Sequence, residues 1–318
     1  MRVLLLRRQS RGGLALWADD LASNLSAEGI SATVVDAVGW IPNETGLFVD
    51  RDVTRRLRDM GEGFDIVHAF GYRAAWACAG AYGDREAWVY SAYDPPKKAH
   101  EALIDRLNES AIGICSSTLV RNVLAGAGCH SLSVSTPGVP FYNGPRLTRT
   151  EAREKFGYTD DQFLVGSFTD EGLKGALEGT GIGLIVANPN DEISLADPLI
   201  KNPGWIARPA ELMAACDLWV APDRNRGFVR NVVEAMSEGT PVLVRDGMRE
   251  MIEEDVSGFV FSDDAVLGTR IRQLLEMPLT LETVGAAGRV RAHERFDTHE
   301  SASRIAQLYR DVVSENYD

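Results

Sequence analysis

The stretch "RNRGFVRNVVEAMSEGTPVLV", residues 224–244, runs from a charged turn into a short helix and through Gly-Thr-Pro into a buried strand. It sets a carboxylate, Glu234, on the helix and a guanidinium, Arg226, two turns earlier, with Gly227 and Phe228 between them. A carboxylate can only accept hydrogen bonds. A guanidinium can only donate them, stays charged at any working pH, and pairs bidentately with phosphate or carboxylate. Three other places combine polar side chains with tight turns: Gly12-Gly13 beside Arg11, Tyr93-Asp94 at the end of "AWVYSAYD", and Ser167 with Lys174 around "DEGLKGA". Each has a plainer reading. Glu234 taken alone is an ordinary exposed helix glutamate, and any tight strand-to-helix turn favours glycine. His68, at the end of the apolar run "FDIVHAF", reads as structural.

The elements that must position these residues alternate. "RVLLL" is a continuous apolar run, as in a parallel strand covered on both faces. In "LALWADDLASNLSAEG" the residues Leu14, Trp17, Leu21 and Leu25 share one helical stripe, and Gly29 is placed to end the helix. "SATVVDA", "FDIVHAF", "AWVYSAYD", "AIGICSS" and "SLSVSTPG" follow as strands, with helical segments between most of them. "DRDVTRRLRD" alternates charge sign and reads as a solvated helix face. The pattern breaks between Pro137 and Gln162, where turn residues lead into a short amphipathic helix, then restarts with "FLVGSF", "GIGLIVA", "GWIA", "DLWVAP", "TPVLVRD" and "GFVFSD" as strands. "PAELMAAC" and "FVRNVVEAMSE" are helices among them, and "THESASRIAQLYRDVVSE" closes the chain as an amphipathic helix.

Strands alternating with helices predict βαβ units, hence an α/β fold of two doubly wound, parallel-sheet (Rossmann-like) domains facing a cleft. The expected bounds are 1–145 for the first domain, joined by the helix 299–318, then a linker at 146–162 and a second domain at 163–298. The second domain reads as compressed, because "NPNDEISLADPLIKNP" leaves little room for a helix. Ligands of this architecture bind at the carboxyl ends of the strands, so the loops there carry the information.

The bulk numbers exclude several classes. With 33 Lys and Arg against 46 Asp and Glu, the chain of 318 residues carries a net charge of −13. That field opposes nucleic acid and anionic lipid, leaving only local basic candidates in Arg7, Arg8 and Arg11 and in Lys97 with Lys98. No apolar run approaches the roughly 18 residues that span a bilayer. "MRVLLLRR" is too short for a secretory h-region. Cys78, Cys115, Cys129 and Cys216 lack zinc-like spacing and are expected as reduced thiols of a cytoplasmic protein.

The stretch "PDRNRGFVRNVVEAMSEGTPVLVRDGMREMIEEDVSGFVF" resembles the signature region of family-4 glycosyltransferases, which have the two-domain GT-B fold. Their pattern is Pro-Ser-x-x-Glu-Gly-Phe-Gly, then Glu-Ala-Met-Ala-x-Gly-x-Pro-Val. Here Pro222, Gly227, Phe228, Glu234, Ala235, Met236, Gly239 and Pro241 keep its register, and Glu250, Met251, Ile252, Gly258 and Phe259 continue it. Gly12-Gly13 before a helix, "DIVHA" and "AIGICSSTLVRNVL" followed by "TPGV" resemble the family's first half more weakly.

The resemblance implies a metal-independent, retaining transfer of a sugar from a nucleotide-diphosphate sugar to a hydroxyl-bearing acceptor, with no cofactor beyond that co-substrate. It places Gly12, Gly13, Ser167, Lys174, Gly227, Phe228 and Glu234 at the nucleotide sugar, and Tyr93, Asp94 and Arg226 at the chemistry. A helix starting after a glycine turn offers free N–H groups to a diphosphate, and a carboxylate within it suits a ribose diol. Arg11, beside Gly12 and Gly13, is a further candidate for phosphate or sugar contact.

The departures are equally specific. Arg226 stands where the family has a glutamate, Ser167 where it has a phosphate arginine, and Tyr93 where it has a histidine; Lys174 matches the family lysine only if two residues are inserted. They leave a second reading open: a catalytically inactive, glycosyltransferase-like protein acting as a nucleotide- or sugar-binding module or partner subunit. A homo- or heterodimer fits either. Nucleic acid and stable membrane insertion fit neither.

Overall fold

Continuous apolar runs with no polar alternation become strands buried on both faces, and β-strands of this kind form the centres of both sheets. A computed structural model describes residues 1–8, 12–41, 50–83, 87–188, 197–204 and 206–315. The chain divides into two compact units, Met1–Pro140 with Phe296–Asp318, and Phe141–Arg295.

The first unit alternates β1 (Arg2–Arg7), α1 (Gly13–Leu25), β2 (Ser31–Asp36), α2 (Arg51–Gly61), β3 (Ile66–Phe70), α3 (Tyr72–Tyr82), β4 (Trp88–Ala92), α4 (Glu101–Leu107), β5 (Ile112–Cys115), α5 (Thr118–Gly126) and β6 (Leu132–Val134). Its strands are all parallel, in the order β2-β1-β3-β4-β5-β6. Every residue of β3 and β4 is buried, so their polar members, His68 and Ser91, are paired inside the sheet.

The second unit contains α6 (Arg149–Phe156), β7 (Leu164–Ser167), α7 (Leu173–Leu177), β8 (Gly183–Val186), β9 (Ile200–Lys201), α8 (Pro209–Ala215), β10 (Leu218–Ala221), α9 (Arg230–Glu238), β11 (Val242–Arg245), β12 (Phe259–Phe261), α10 (Asp264–Leu275) and α11 (Pro278–Arg295). Its parallel sheet runs β12-β11-β10-β7-β8-β9. The last helix, α12 (Thr298–Glu315), belongs to the first unit and packs on α1.

Two buried polar centres fix these sheets. In the first unit His68 lies at the middle of β3, not at its end, and is fully buried. Its Nδ1 meets the Tyr309 hydroxyl of α12 at 2.5 Å, its Nε2 meets Ser91 Oγ of β4 at 2.8 Å, and its ring stacks on Phe70 at 4.2 Å. Burial drives the imidazole down to about 3, so it stays neutral at ordinary pH. In the second unit Arg153 is 0% exposed. It donates to the carbonyls of Ala215, Thr159, Asp160 and Gln162 at 2.7–3.0 Å and to Asp217 at 2.6 Å. Asp217 also accepts the Leu164 N–H at 2.7 Å, which aligns the start of β7 with the start of β10. A buried guanidinium is tolerable only when its donors are satisfied in this way.

The expected linker is structured. Residues 146–162 carry α6, opened by a Thr148/Glu151 capping box, and fall in the second unit. The boundaries sit at 140/141 and 295/296. "GWIA" is not a strand among the described residues; the edge strand beside β8 is β9, which starts four residues earlier. Asn202 explains the stop: its side chain accepts from the Gly204 N–H at 2.9 Å and donates to the Asn188 carbonyl at 2.9 Å, turning the chain. Within "NPNDEISLADPLIKNP", residues 189–196 lie outside the described residues, so the compression expected there is not described. The charged run of α2 turns Val53 and Leu57 inward and its arginines outward. All four cysteines are buried and free. Among the described residues no helix is long and apolar enough to cross a membrane.

His68 gives this fold a pH signature. The unfolded imidazole takes up a proton near 6.5 while the folded one resists until about 3, so the unfolded state binds more protons as pH falls below 6.5. Between pH 7.5 and pH 5 the native state should lose about 2 kcal/mol through this group. Urea titrations at both pH values should show that loss in the wild type and not in His68→Asn. Equal pH dependence in the two proteins would remove the assignment.

Candidate functional site

In the first unit the turns after β1, β3 and β4 meet at the carboxyl edge of the sheet. Gly12 has φ +90°, a conformation that favours glycine, and Gly13 opens α1 directly against Tyr93. A Cβ on Gly13 would lie 2.6 Å from the Tyr93 ring Cζ, so this turn comes together with Tyr93-Asp94 only because the side chain is absent. Tyr93 is 7% exposed and packs beside Trp17. Its carbonyl accepts from Ser116 Oγ at 2.6 Å, and the Asp94 carbonyl accepts from the Tyr72 hydroxyl at 2.6 Å. Two hydroxyls therefore hold the backbone of the pair, leaving Asp94 half-buried at the surface. Arg7 is engaged by Asp19 at 2.6 Å and Asp36 at 2.5 Å, and Arg8 donates to the Ile41 carbonyl, so neither forms the expected basic groove. Arg11 lies outside the described residues.

In the second unit the remaining candidates collect at the carboxyl ends of β7, β10 and β11. Ser167 ends β7 and is 1% exposed; its hydroxyl donates to the Thr169 carbonyl and accepts the Thr169 N–H, closing the loop locally. Lys174 lies in the first turn of α7, where its N–H is capped by the Asp170 carboxylate at 2.7 Å. Gly227 and Phe228 are buried, Phe228 at 1% exposure, so this turn presents backbone. α9 starts just beyond, with Val229 at its N-cap and no side-chain cap there. Glu234, one turn into α9, accepts from Arg230 Nε at 2.8 Å and is partly exposed.

Arg226 pairs with Asp223, Nε to carboxylate 3.5 Å, while its own side chain is 40% exposed. Asp223 is nearly buried, and burial holds its carboxyl above the ordinary range, partly offset by Arg226. Glu171 is likewise raised, by burial and then by Asp223. Its carboxylate accepts the Arg224 N–H at 3.1 Å, tying the β7 loop to the β10 loop. Arg245, at the end of β11, donates to the Pro222 carbonyl at 2.7 Å and pairs with Asp264, which also takes Arg224. Arg224, Arg226 and Arg245 thus face Asp223 and Asp264, with Glu171 beside Asp223 and Asp170 holding the Lys174 N–H. An incoming dianion would meet arginines that already have partners.

The sequence does not single out Glu171, Arg245, Tyr72, Ser116 or Gly71. Arg245 carried one signal, as the first charged residue after an apolar strand. Gly71 has φ +87° and a Cβ there would strike Leu14. It is a third glycine turn at the same edge as Gly12-Gly13.

Residues 181–277, which hold this whole signature region up to α10, match the family model described as "Glycosyl transferases group 1". A sequence search of curated proteins finds no match. Among solved structures the chain is similar to Anabaena Alr3699/HepE in complex with UDP, at 20% identity and TM-score 0.79, covering 98% of this chain and 100% of that one. It is also similar to sucrose-phosphate synthase from Thermosynechococcus elongatus, at 16% identity and TM-score 0.77 over 99% of both chains. A glycosyltransferase from Rickettsia africae ESF-5 matches at 14% identity and TM-score 0.79 over 98% of both chains. At these identities the likeness is one of fold: two doubly wound parallel units, the GT-B architecture.

The contact of Gly13 with Tyr93 yields a direct test. Gly13→Ala forces a methyl into a buried ring that Trp17 backs, and overpacking of this kind costs about 1–3 kcal/mol. Thermal unfolding followed by tryptophan fluorescence should show a lowered midpoint. An unchanged midpoint would mean that the two turns do not touch.

Proposed function

We propose that this protein is a glycosyltransferase that moves a sugar from a nucleotide-diphosphate sugar to a hydroxyl-bearing acceptor, with retention of configuration and without a metal ion. One observation carries the reading: the N-terminus of α9, which has no side-chain cap and is followed one turn later by Glu234, stands at the carboxyl edge of a parallel sheet inside the segment matching the glycosyl transferase model. Solved structures of the similar Anabaena protein with UDP, with UDP and glucose, and with UDP-glucose support a uridine nucleotide as the first ligand to try.

On this reading Glu234 holds the ribose diol, using the carboxylate oxygens that Arg230 leaves open. The α9 N–H groups, Lys174 and Arg226 take the negative charge that develops on the leaving diphosphate, as fixed donors and dipoles do at such sites. Ser167, Gly227 and Phe228 shape the backbone around it. Gly12, Gly13, Tyr93 and Asp94 serve the sugar and acceptor side. Arg226 in place of the family's glutamate exchanges an acceptor for a donor, which suits phosphate better than sugar hydroxyls.

Two substitutions test the assignment by calorimetry with UDP and UDP-glucose. Glu234→Ala removes a charged acceptor worth about 1.5–3 kcal/mol, so UDP affinity should fall about tenfold or more while the unfolding midpoint barely moves. Unchanged affinity would return Glu234 to the role of a surface glutamate. Arg226→Glu would set a third carboxylate beside Glu171 and Asp223, and UDP-glucose binding should be lost. Full binding by that variant would defeat the phosphate role of Arg226 and favour a site no longer used for chemistry.

A further inference from the structure

The amino edge of the second sheet, opposite the edge that carries Glu234, holds a cavity of about 720 Å³. This is the size of a small-molecule site. It is lined by Asp217, immediately ahead of β10, Phe163, immediately ahead of β7, Ala214 of α8 and Leu281 of α11. Arg146 and Arg149 enter from the segment leading into α6.

Charge decides what such a cavity would take. Three arginines line it (Arg146, Arg149 and Arg289) with four carboxylates (Glu211, Asp217, Glu238 and Glu282), and three further cations, Arg153, Lys155 and Arg208, stand behind Asp217 and Glu211 as their partners, six cations to four carboxylates in all. This is a local excess of two positive charges in a chain of net charge −13.

The pairing also leaves cations available. Asp217 is satisfied by Arg153 at 2.6 Å and the Leu164 N–H at 2.7 Å, so Arg149, 53% exposed, is its redundant partner. Glu211 is held by Lys155 and Arg208. Arg146, 45% exposed, reaches Glu238 over 3.3 Å. Burial holds the Glu238 carboxyl above its ordinary range, which lowers the cost of letting Arg146 turn away.

We propose that this cavity is a second ligand site, for a small organic anion whose phosphate or carboxylate head is taken by Arg149 and Arg146 while a compact apolar body lies against Phe163 and Leu281. Guanidinium forks match both head groups bidentately. The site stands on different residues from those assigned to the nucleotide sugar, so it does not depend on that assignment.

The test is calorimetry on the full chain with phenyl phosphate and benzoate as probes, and phenol as the neutral control. At least one anion should bind saturably and phenol should not. Arg149→Ala leaves Asp217 fully partnered, so the fold should persist while probe affinity falls about tenfold. Ala214→Leu, which pushes a branched apolar group into the cavity beside Asp217, should weaken probe binding. UDP should not displace the probe. No saturable heat with either anion, equal binding of phenol, unchanged affinity in both variants, or displacement by UDP would each overturn the proposal.

Discussion

Parallel strands cannot be joined by hairpins; each must be reached by a crossover that returns the chain to the starting edge. All of the strand pairs named above are parallel, and everything else in the molecule follows from that constraint. Each strand ends at the same edge of its sheet as its neighbours. Loops far apart in sequence, such as those after β7, β10 and β11, are therefore brought together without any dedicated device. The opposite edges collect the residues that begin strands. There the second unit has built a different chemistry, with Arg153 and Asp217 knitting the first residues of β7 and β10. One sheet thus offers two unlike surfaces, one turning helix N-termini outward and the other gathering side-chain ion pairs.

Much of this was legible in the sequence because the strongest signals there are also the strongest forces. "RVLLL", "DLWVAP" and "TPVLVRD" could hardly be anything but strands covered on both faces, and β1, β10 and β11 are buried accordingly. Glu234 and Gly227 kept their expected positions because they lie in a helix and a turn whose limits are set locally, by Gly239 at φ +79° behind and the glycine turn ahead. What failed depended on tertiary partners. His68 looks like the last polar residue of an apolar run. Only its partners Tyr309, 241 residues away in sequence, and Ser91 make the centre of the strand habitable for an imidazole. "GWIA" has strand composition, yet the side-chain hydrogen bonds of Asn202 end the sheet before it.

The same logic applies to the charges at the carboxyl edge. Motif comparison marks Arg226 as an anomaly, a cation where an acid is expected. The structure shows its near neighbourhood to be acidic already, through Asp223 and Glu171. The reversal at residue 226 therefore keeps the edge balanced instead of making it basic. Nothing in the linear spacing of Glu171 and Asp223, 52 positions apart, brings them to one place; the β7–β10 pairing does.

The first unit is assembled from both ends of the chain, with α12 laid on α1 after the whole of the second unit has been spelled out. During vectorial synthesis residues 141–295 are all made before Tyr309. Until then the imidazole of His68 lacks its Nδ1 partner, and the face of α1 on which α12 packs stays open. The first unit therefore stays an incomplete domain until a stretch made after the whole of the second unit arrives, and the interval before α12 docks is the one in which a nascent-chain chaperone has most to cover.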